Sequence, residues 1–318
     1  MRNLSGFLLL LLLIGCNQSS KQAYTTKVAP IIYQAGNGNR IVFLNDYYTD
    51  YINSLKAGAE NHDSLFRKKI QSPCNTYFSK SEYAQYLSTL FYVPDTTNLD
   101  ERISEINNNL DKIEKIISSA LVECRKYLKN DSITICIQPY ANVGGYADTI
   151  IKIRGGNTGL TVGSKEILLT IDPSVISWRN MLGETLVHEY NHAYWIKMHF
   201  SEEDERNILL DLINEGKADS YAHFIYPSII PIWDTILPNK EKIAFWNRLK
   251  PKLNNTDLNM YRKVMFGDRS DLTNYPIWGG YCLGYSIVQS ALKNNPSLTP
   301  QEWSNLSPEK ILEMSDYK

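Results

Sequence analysis

Cysteine is scarce in this chain, with five residues among 318, and no two cysteines are spaced as a CxxC pair. This spacing argues against a zinc site built from thiolate pairs. One cysteine, at position 16, directly follows an apolar run. The other four could form two disulfides in an oxidising compartment, in any of three pairings. They are Cys74, Cys124, Cys136 and Cys282.

The chain also lacks a dominant charge. It has 33 Lys and Arg against 34 Asp and Glu, for a formal net charge of -1. Such a balance produces no strong field that would attract nucleic acid or anionic lipid, so we expect no nucleic-acid partner. The composition is 43% hydrophobic and 21% charged. Those fractions are typical of a globular protein that buries a sizeable core.

No apolar run is long enough to span a bilayer. The run at residues 7–14 contains only Phe, Leu and Ile, and its length fits the apolar region of a secretory signal peptide. It ends in Leu-Ile-Gly-Cys, which resembles the lipobox of bacterial lipoproteins. That resemblance implies a signal peptide at residues 1–15, a lipid on Cys16 and a place in the cell envelope. The lipid would hold the protein on the periplasmic side or at the cell surface, with the outer membrane as the expected membrane. The alternative is a plain signal peptide with an incidental cysteine.

The rest of the chain divides into a polar tether (16–30), a helical portion (31–130) and a second portion (131–318). Residues 47–92 predict two or three helices with breaks near Pro73 and Pro94. Apolar residues recur every three or four positions over 99–128, which predicts one long helix that Asn98 caps.

The second portion mixes strands and helices. Residues 133–138 alternate between apolar and polar, the period of a strand, and glycines separate the next candidates as turns. We predict strands at 41–44, 133–138, 149–153, 160–162 and 166–171, and helices at 177–200, 203–224, 257–266 and 277–293. A short helix opens at Thr299-Pro300 with Glu302. A small sheet between helices predicts an α+β fold.

The strongest chemical signal is an HExxH motif, from His188 through Glu189 to His192, inside the predicted helix 177–200. Residues four apart on a helix point the same way, so both imidazoles can reach one metal ion. Glu189 lies about 100° around the helix axis from His188. It can therefore take a proton from the attacking water without binding the metal.

A catalytic zinc site usually has three protein ligands, and the next helix offers a third. Asn214 and Glu215 begin an NExxxD sequence that ends in Asp219. We predict that Glu215 binds one Zn²⁺ together with His188 and His192. Asp219 would accept a hydrogen bond from the far nitrogen of His188 and so fix its orientation.

These motifs resemble the gluzincin class of zinc peptidases, which join HExxH to a downstream NExxxD. The chain is most similar to a bacterial family of predicted zinc-dependent proteases, domain of unknown function 2268, over about residues 132–315. The stretches that carry the resemblance are LVHEYNHAYW (186–195), INEGKAD (213–219), GGYCLGYSIV (279–288) and SPEKIL (307–312). The resemblance implies a zincin-like fold and a peptide or protein substrate. It also implies that residues 158–163, or the strand after them, bind the substrate backbone, whereas the plain alternative is a β-hairpin.

A further donor is needed to stabilise the tetrahedral intermediate. Tyr281 and Tyr285 are candidates, and Tyr281 is our choice, although either ring could instead belong to the core. His223 fits a partly buried structural residue, and His62 and His199 fit surface residues.

Two other functions remain open at this point. Some lipoproteins linked to gliding motility resemble the same family, so the chain could be a non-catalytic binding or assembly module. Hydrolysis of a non-peptide amide is a third possibility. The intact HExxH and NExxxD favour the peptidase, because a scaffold has no need of Glu189.

Overall fold

The computed structural model describes residues 28–59, 61–85, 91–142, 144, 146–201 and 206–318. The predicted signal peptide, Cys16 and most of the predicted tether lie outside these residues. Within the described ranges, no helix combines the length and the apolar character that crossing a membrane requires.

A five-stranded sheet lies at the centre, with strand order β1-β2-β3-β5-β4. The inner strands β2, β3 and β5 are parallel, and the edge strands β1 and β4 are antiparallel to their neighbours. The sheet therefore combines two strands from the predicted helical portion (31–130) with three strands from the second portion (131–318). The strands are β1 (Ile31–Ala35), β2 (Asn39–Phe43), β3 (Thr134–Pro139), β4 (Asn157–Thr161) and β5 (Glu166–Ile171).

The helices surround this sheet and extend beyond it. They are α1 (Asn45–Lys56), α2 (His62–Phe66), α3 (Ser72–Asn75), α4 (Leu99–Asn107), α5 (Leu110–Tyr127), α6 (Tyr146–Ile153), α7 (Trp178–His199), α8 (Ile208–Ile225), α9 (Trp233–Ile236), α10 (Asn239–Leu249), α11 (Leu258–Phe266), α12 (Gly279–Asn294), α13 (Pro300–Asn305) and α14 (Pro308–Met314). This mixed architecture agrees with the predicted α+β class.

Both faces of the sheet are covered. Ile135 and Ile137 of β3 point into a core shared with α5 and α7. Cys136, between them, points to the other face, where α1 and the following helical turns pack. Parallel strands buried on both faces are apolar throughout, and this accounts for the Ile-Cys-Ile run.

A third core lies beside the sheet, where α8 packs against α12. The two helices touch at Gly216 and Gly284. A Cβ on Gly216 would lie 2.2 Å from the Gly284 carbonyl oxygen, so only glycine permits this approach. Lys217 is fully buried next to this crossing, and its ammonium donates to the carbonyls of Ser304 and Leu306. These contacts fix α8, which carries Glu215, to the C-terminal helices.

The predicted helix 99–128 is wrong as a single element, because α4 ends at Asn107 and α5 begins at Leu110. The Asn109 side chain donates to the Glu105 carbonyl, the kind of local bond that competes with helix continuation. Asn98 stands at the N-terminus of α4 without a side-chain cap bond.

Three other local predictions also need correction. No break occurs at Pro73, because it occupies the first turn of α3, where its missing N–H costs nothing, and a π-helical turn leads into it. Residues 149–153 belong to helix α6 instead of a strand. There the Asp148 carboxylate accepts from the Gly144 N–H and the Tyr140 hydroxyl. Helix α8 begins at Ile208 instead of 203, because Asn207 caps it through the Leu210 N–H.

None of the three possible disulfide pairings forms, since all four described cysteines are free and buried. Cys124 packs in the core under α5 and α7, and Cys282 of α12 packs in the core beside the sheet. Cys74 and Cys136 share the core under α1. Each thiol acts as a small apolar side chain, and burial raises its pKa above the usual range.

Candidate metal centre

Helix α7 carries the HExxH motif through the middle of the protein. Helix α7 is buried around most of its circumference, because the sheet and α5 pack against one face and α8 packs against another. His188 and His192 lie one turn apart, and Glu215 of α8 faces both imidazoles. The structure therefore brings together the three residues that the sequence predicted as metal ligands.

The three ligand atoms form a nearly equilateral triangle. His188 Nε2 and His192 Nε2 are 3.1 Å apart, and Glu215 Oε2 lies 3.4 Å from the first and 3.5 Å from the second. Zinc binds nitrogen and oxygen at about 2.0–2.2 Å, so two ligands at a tetrahedral angle are separated by roughly 3.3–3.6 Å. The two sides that end at Glu215 fall in that range, the side between the imidazoles is slightly shorter at 3.1 Å, and two nitrogens and one oxygen are donors that zinc accepts.

Asp219 fixes the orientation of His188. Its Oδ1 lies 2.9 Å from His188 Nδ1, so the ring donates to the carboxylate and turns Nε2 toward the other two ligands. Burial alone would lower the His188 pKa, but Asp219 and Glu215 outweigh burial and hold this pKa well above its usual range. Burial would raise the Glu215 pKa, but His192 and His188 hold it below the usual range.

We expect Asp219→Ala to weaken zinc binding by about 10- to 100-fold, because the freed imidazole loses its fixed tautomer and orientation. Competition with a chelator measures the affinity, and circular dichroism checks that the fold survives. Asp234→Ala is the control, since Asp234 is an exposed carboxylate paired with Lys242. Equal zinc affinity in the two variants would contradict the assigned role of Asp219.

Glu189 is placed beside the triangle by strand β4. The Thr161 hydroxyl donates to Glu189 Oε2 at 2.7 Å. Gly159 leaves the space that the glutamate side chain fills, because a Cβ there would lie 2.3 Å from Glu189 Cγ. Glu189 is only 5% exposed. Its carboxylate is thus held in one position, next to the ligands but outside their triangle.

Arg154 connects α7 and α8, the two helices that carry the ligand triangle. Its guanidinium lies 3.6 Å from Glu184, one turn before His188 on α7, and 3.5 Å from Asp219, one turn after Glu215 on α8. The arginine side chain is 10% exposed. Burial would lower the Arg154 pKa, but the carboxylates of Glu184 and Asp219 raise it above its usual range, so the cluster is held together by charge.

A cavity of about 980 Å³ opens over these residues. One side consists of β4, from Thr158 to Thr161, and this strand is the edge of the sheet. The opposite side consists of aromatic rings from α9, α11 and α12. The ligand triangle, Glu189 and Arg154 lie between the two sides.

The structure separates the two tyrosine candidates. Tyr281 lines the cavity, and burial raises its pKa well above the usual range, with a further contribution from the Glu215 carboxylate. Its hydroxyl therefore stays protonated and can donate. Tyr285 is buried against His223 outside the cavity lining.

The remaining histidines differ from one another. His223 is partly buried and bonds the Ile229 carbonyl, as a structural residue would. His62 is exposed. His199 is not the surface residue that the sequence suggested, because it stacks on Trp195 at 5.2 Å and lines the cavity.

Sequence reasoning missed Thr161, Arg154 and Glu184. The sequence could have indicated Glu184, since it continues the four-residue spacing of His188 and His192 on one helical face. No such pattern marks Arg154 and Thr161, because their partners lie on other elements and only the folded chain brings them together.

A family model described as "Predicted Zn-dependent protease (DUF2268)" matches residues 113–313. The matched range contains the three ligands, Glu189, Asp219, Arg154 and both sides of the cavity. Searches of curated proteins and of solved structures find no match.

Proposed function

Because the chain belongs to this family of predicted zinc-dependent proteases, we propose that it is a zinc peptidase with a zincin-like fold. The observation that carries the proposal is the ligand triangle, whose sides of 3.1, 3.4 and 3.5 Å fit one tetrahedral zinc ion. Three protein ligands leave a fourth position for water, which is the arrangement of catalytic zinc sites.

In this proposal, a bound zinc ion lowers the pKa of water and polarises the scissile carbonyl. Glu189 takes the proton from the attacking water and passes it to the leaving amine. The Thr161 hydroxyl holds the Glu189 carboxylate at the required place. The Tyr281 hydroxyl donates to the oxyanion as the carbonyl becomes tetrahedral.

Strand β4 is the proposed binding site for the substrate backbone. Among the residues that the structure describes, β4 pairs with β5 alone, so its other edge offers backbone N–H and C=O groups beside the cavity. An extended peptide that adds to this edge would use those groups. Its scissile bond would then lie between Glu189 and the ligand triangle.

The position of Glu189 supports hydrolysis over the alternative of a non-catalytic binding or assembly module. A metal used only to hold the fold needs ligands and no base. Here Gly159 and Thr161 of β4 reserve space and a hydrogen bond for a carboxylate that binds no metal.

The proposal is tested by the metal content of the purified protein, measured beside cleavage of a diverse peptide library. We expect one zinc per chain, and cleavage that a chelator abolishes and added zinc restores. A folded, zinc-loaded protein that cleaves no peptide would favour the binding module, and cleavage that survives complete metal removal would refute the zinc mechanism.

Gly159→Ala is expected to reduce hydrolysis by about 100-fold while zinc binding is retained. The new methyl group would occupy the place of the Glu189 side chain and displace its carboxylate by about 1 Å, a shift of the size that costs ~10²-fold. The control is Gly36→Ala, because a Cβ at Gly36 meets no atom within 4 Å. Rates and zinc content are measured on both variants, and equal rates would show that Glu189 tolerates displacement.

We further propose that the protein is anchored in the cell envelope by a lipid on Cys16, as the Leu-Ile-Gly-Cys sequence suggests. Several acyl chains on one residue give stable anchoring. Cys16→Ala should abolish labelling with palmitate and release the protein from membranes. A variant that still takes up label and still sediments with membranes would refute the anchor.

A further inference from the structure

The cavity side opposite β4 is formed by five rings, which we call the aromatic wall. Neighbouring ring centroids are 4.8 to 5.7 Å apart along the series Trp233, Tyr281, Trp278, Phe266 and Tyr261. All five line the cavity. Trp233 and Trp278 are almost fully buried, whereas the other three rings are only partly buried and present apolar surface to the cavity.

The aromatic wall adjoins the ligand triangle. Helix α12 carries Tyr281 and touches α8 at Gly284 and Gly216, next to Glu215. The phenols of Tyr281 and Tyr261 both lie within electrostatic range of the Glu215 carboxylate. The apolar surface therefore begins where a carbonyl held at the metal would lie.

Packing holds the aromatic wall in place although the backbone at Trp278 is strained. Trp278 has φ 58 and ψ 22, the left-handed region in which a bulky residue is strained. Gly279 and Gly280 behind it pack so closely that a Cβ would lie 2.7 Å from Phe245 and 2.4 Å from the Met265 sulfur. The surrounding packing thus fixes the Trp278 ring at the cavity.

Charged groups border the wall without covering it. The Arg154 guanidinium lies 5.8 Å from the Trp233 ring and also pairs with Glu184 and Asp219. The Arg206 guanidinium lies 3.6 Å from the Tyr261 ring, and Arg206 is paired with Asp211. Because carboxylates already compensate both cations, the wall between them suits a neutral apolar group.

We infer that the aromatic wall is a specificity subsite that receives an aromatic or other large apolar side chain of the peptide, on a residue flanking the scissile bond. This inference rests on the proposed peptidase function. Leu160, Trp195 and Phe200 also line the cavity, and the wall is the aromatic surface whose phenols lie within electrostatic range of Glu215. A phenylalanine side chain buried there should bind about 10- to 100-fold better than alanine at the same position.

The test uses two zinc-binding ligands that differ in one side chain, a 2-benzylsuccinyl hydroxamate and its 2-methyl analogue. Each is titrated calorimetrically into the zinc-loaded protein, so the readout is affinity and does not depend on catalysis. We expect the benzyl ligand to bind about 10- to 100-fold more tightly, and Phe266→Ala to bring that ratio close to one without changing the affinity of the methyl ligand. Phe266→Leu should give an intermediate ratio.

The control variant is Phe224→Ala, whose ring is exposed, pairs with Tyr127 and lies outside the cavity lining. In Phe224→Ala, the ratio of the affinities for the benzyl and methyl ligands should equal the ratio in the wild type. Equal binding of both ligands to the wild type would overturn the subsite while leaving the peptidase proposal intact, and this comparison needs no variant to fold. A protein that takes up no zinc, or binds neither ligand, would instead overturn the proposed function and the subsite with it.

Discussion

Glu189→Gln should keep its zinc and its fold and lose about 10²- to 10⁴-fold in the rate of peptide hydrolysis, the usual contribution of a general base. The amide has nearly the size of the carboxylate, so it fits the space beside Gly159 and can still accept the Thr161 hydrogen bond. What it loses is the ability to take a proton. The rate is measured under single-turnover conditions on the best substrate from the peptide library, and zinc is quantified on the same sample.

The matched variant is His188→Ala, which removes one corner of the ligand triangle and should lose both metal and activity. Together the two variants distinguish three cases. Zinc kept and activity lost in Glu189→Gln supports proton transfer by Glu189. Zinc lost in both variants would make Glu189 structural, and zinc and activity kept in Glu189→Gln would remove it from the reaction.

The candidate metal ligands could be brought together from sequence because helical geometry fixes their relationships. A four-residue spacing puts His188 above His192 on α7, and the same spacing puts Glu215 above Asp219 on α8. Once each helix is assigned, the only unknown is how the two helices pack. The resemblance to a known zinc-peptidase pattern supplied that information, and the 2.9 Å contact between His188 and Asp219 agrees with it.

The errors in the fold arose where local patterns conflicted with tertiary contacts. Residues 149–153 are rich in β-branched side chains, yet they are helical, because α6 packs beside β4 and its first turn is fixed by Asp148. The apolar stripe over 99–128 continues across Asn108 and Asn109, so periodicity alone could not reveal the break between α4 and α5. The possibility of disulfides followed from the predicted compartment, but only the fold shows that Cys124 and Cys282 lie in separate cores, apart from the core that Cys74 and Cys136 share.

The charged cluster of Arg154, Glu184 and Asp219 could not be predicted from sequence, because it depends on three elements at once. Arg154 follows α6, Glu184 lies on α7 and Asp219 lies on α8. No spacing rule relates these positions. From the sequence alone, each of these charged residues would be predicted to be a solvated surface residue. Their burial becomes possible only because their charges offset one another.

Arg154→Met should therefore destabilise the fold by about 3–5 kcal/mol, because it leaves the buried Glu184 without its cation and leaves Asp219 with His188 alone. Glu184 and Asp219 are 5% and 0% exposed, and each already has a carboxylate oxygen without a hydrogen bond in the described structure, so water cannot easily replace the guanidinium. The free energy of unfolding is measured by denaturant titration in the presence of a chelator, so that zinc binding does not contribute.

The control for Arg154→Met is Arg179→Met, at the start of α7. Arg179 also pairs with a carboxylate, Glu105 at 2.6 Å, but the two side chains are 39% and 42% exposed. Exposed pairs contribute about 0–1 kcal/mol, so this variant should change stability little. Adding Glu184→Gln to Arg154→Met should recover part of the loss, because one of the two uncompensated charges disappears. If Arg154→Met destabilised the fold no more than Arg179→Met, charge compensation would not be what holds α7 and α8 together beside the ligand triangle.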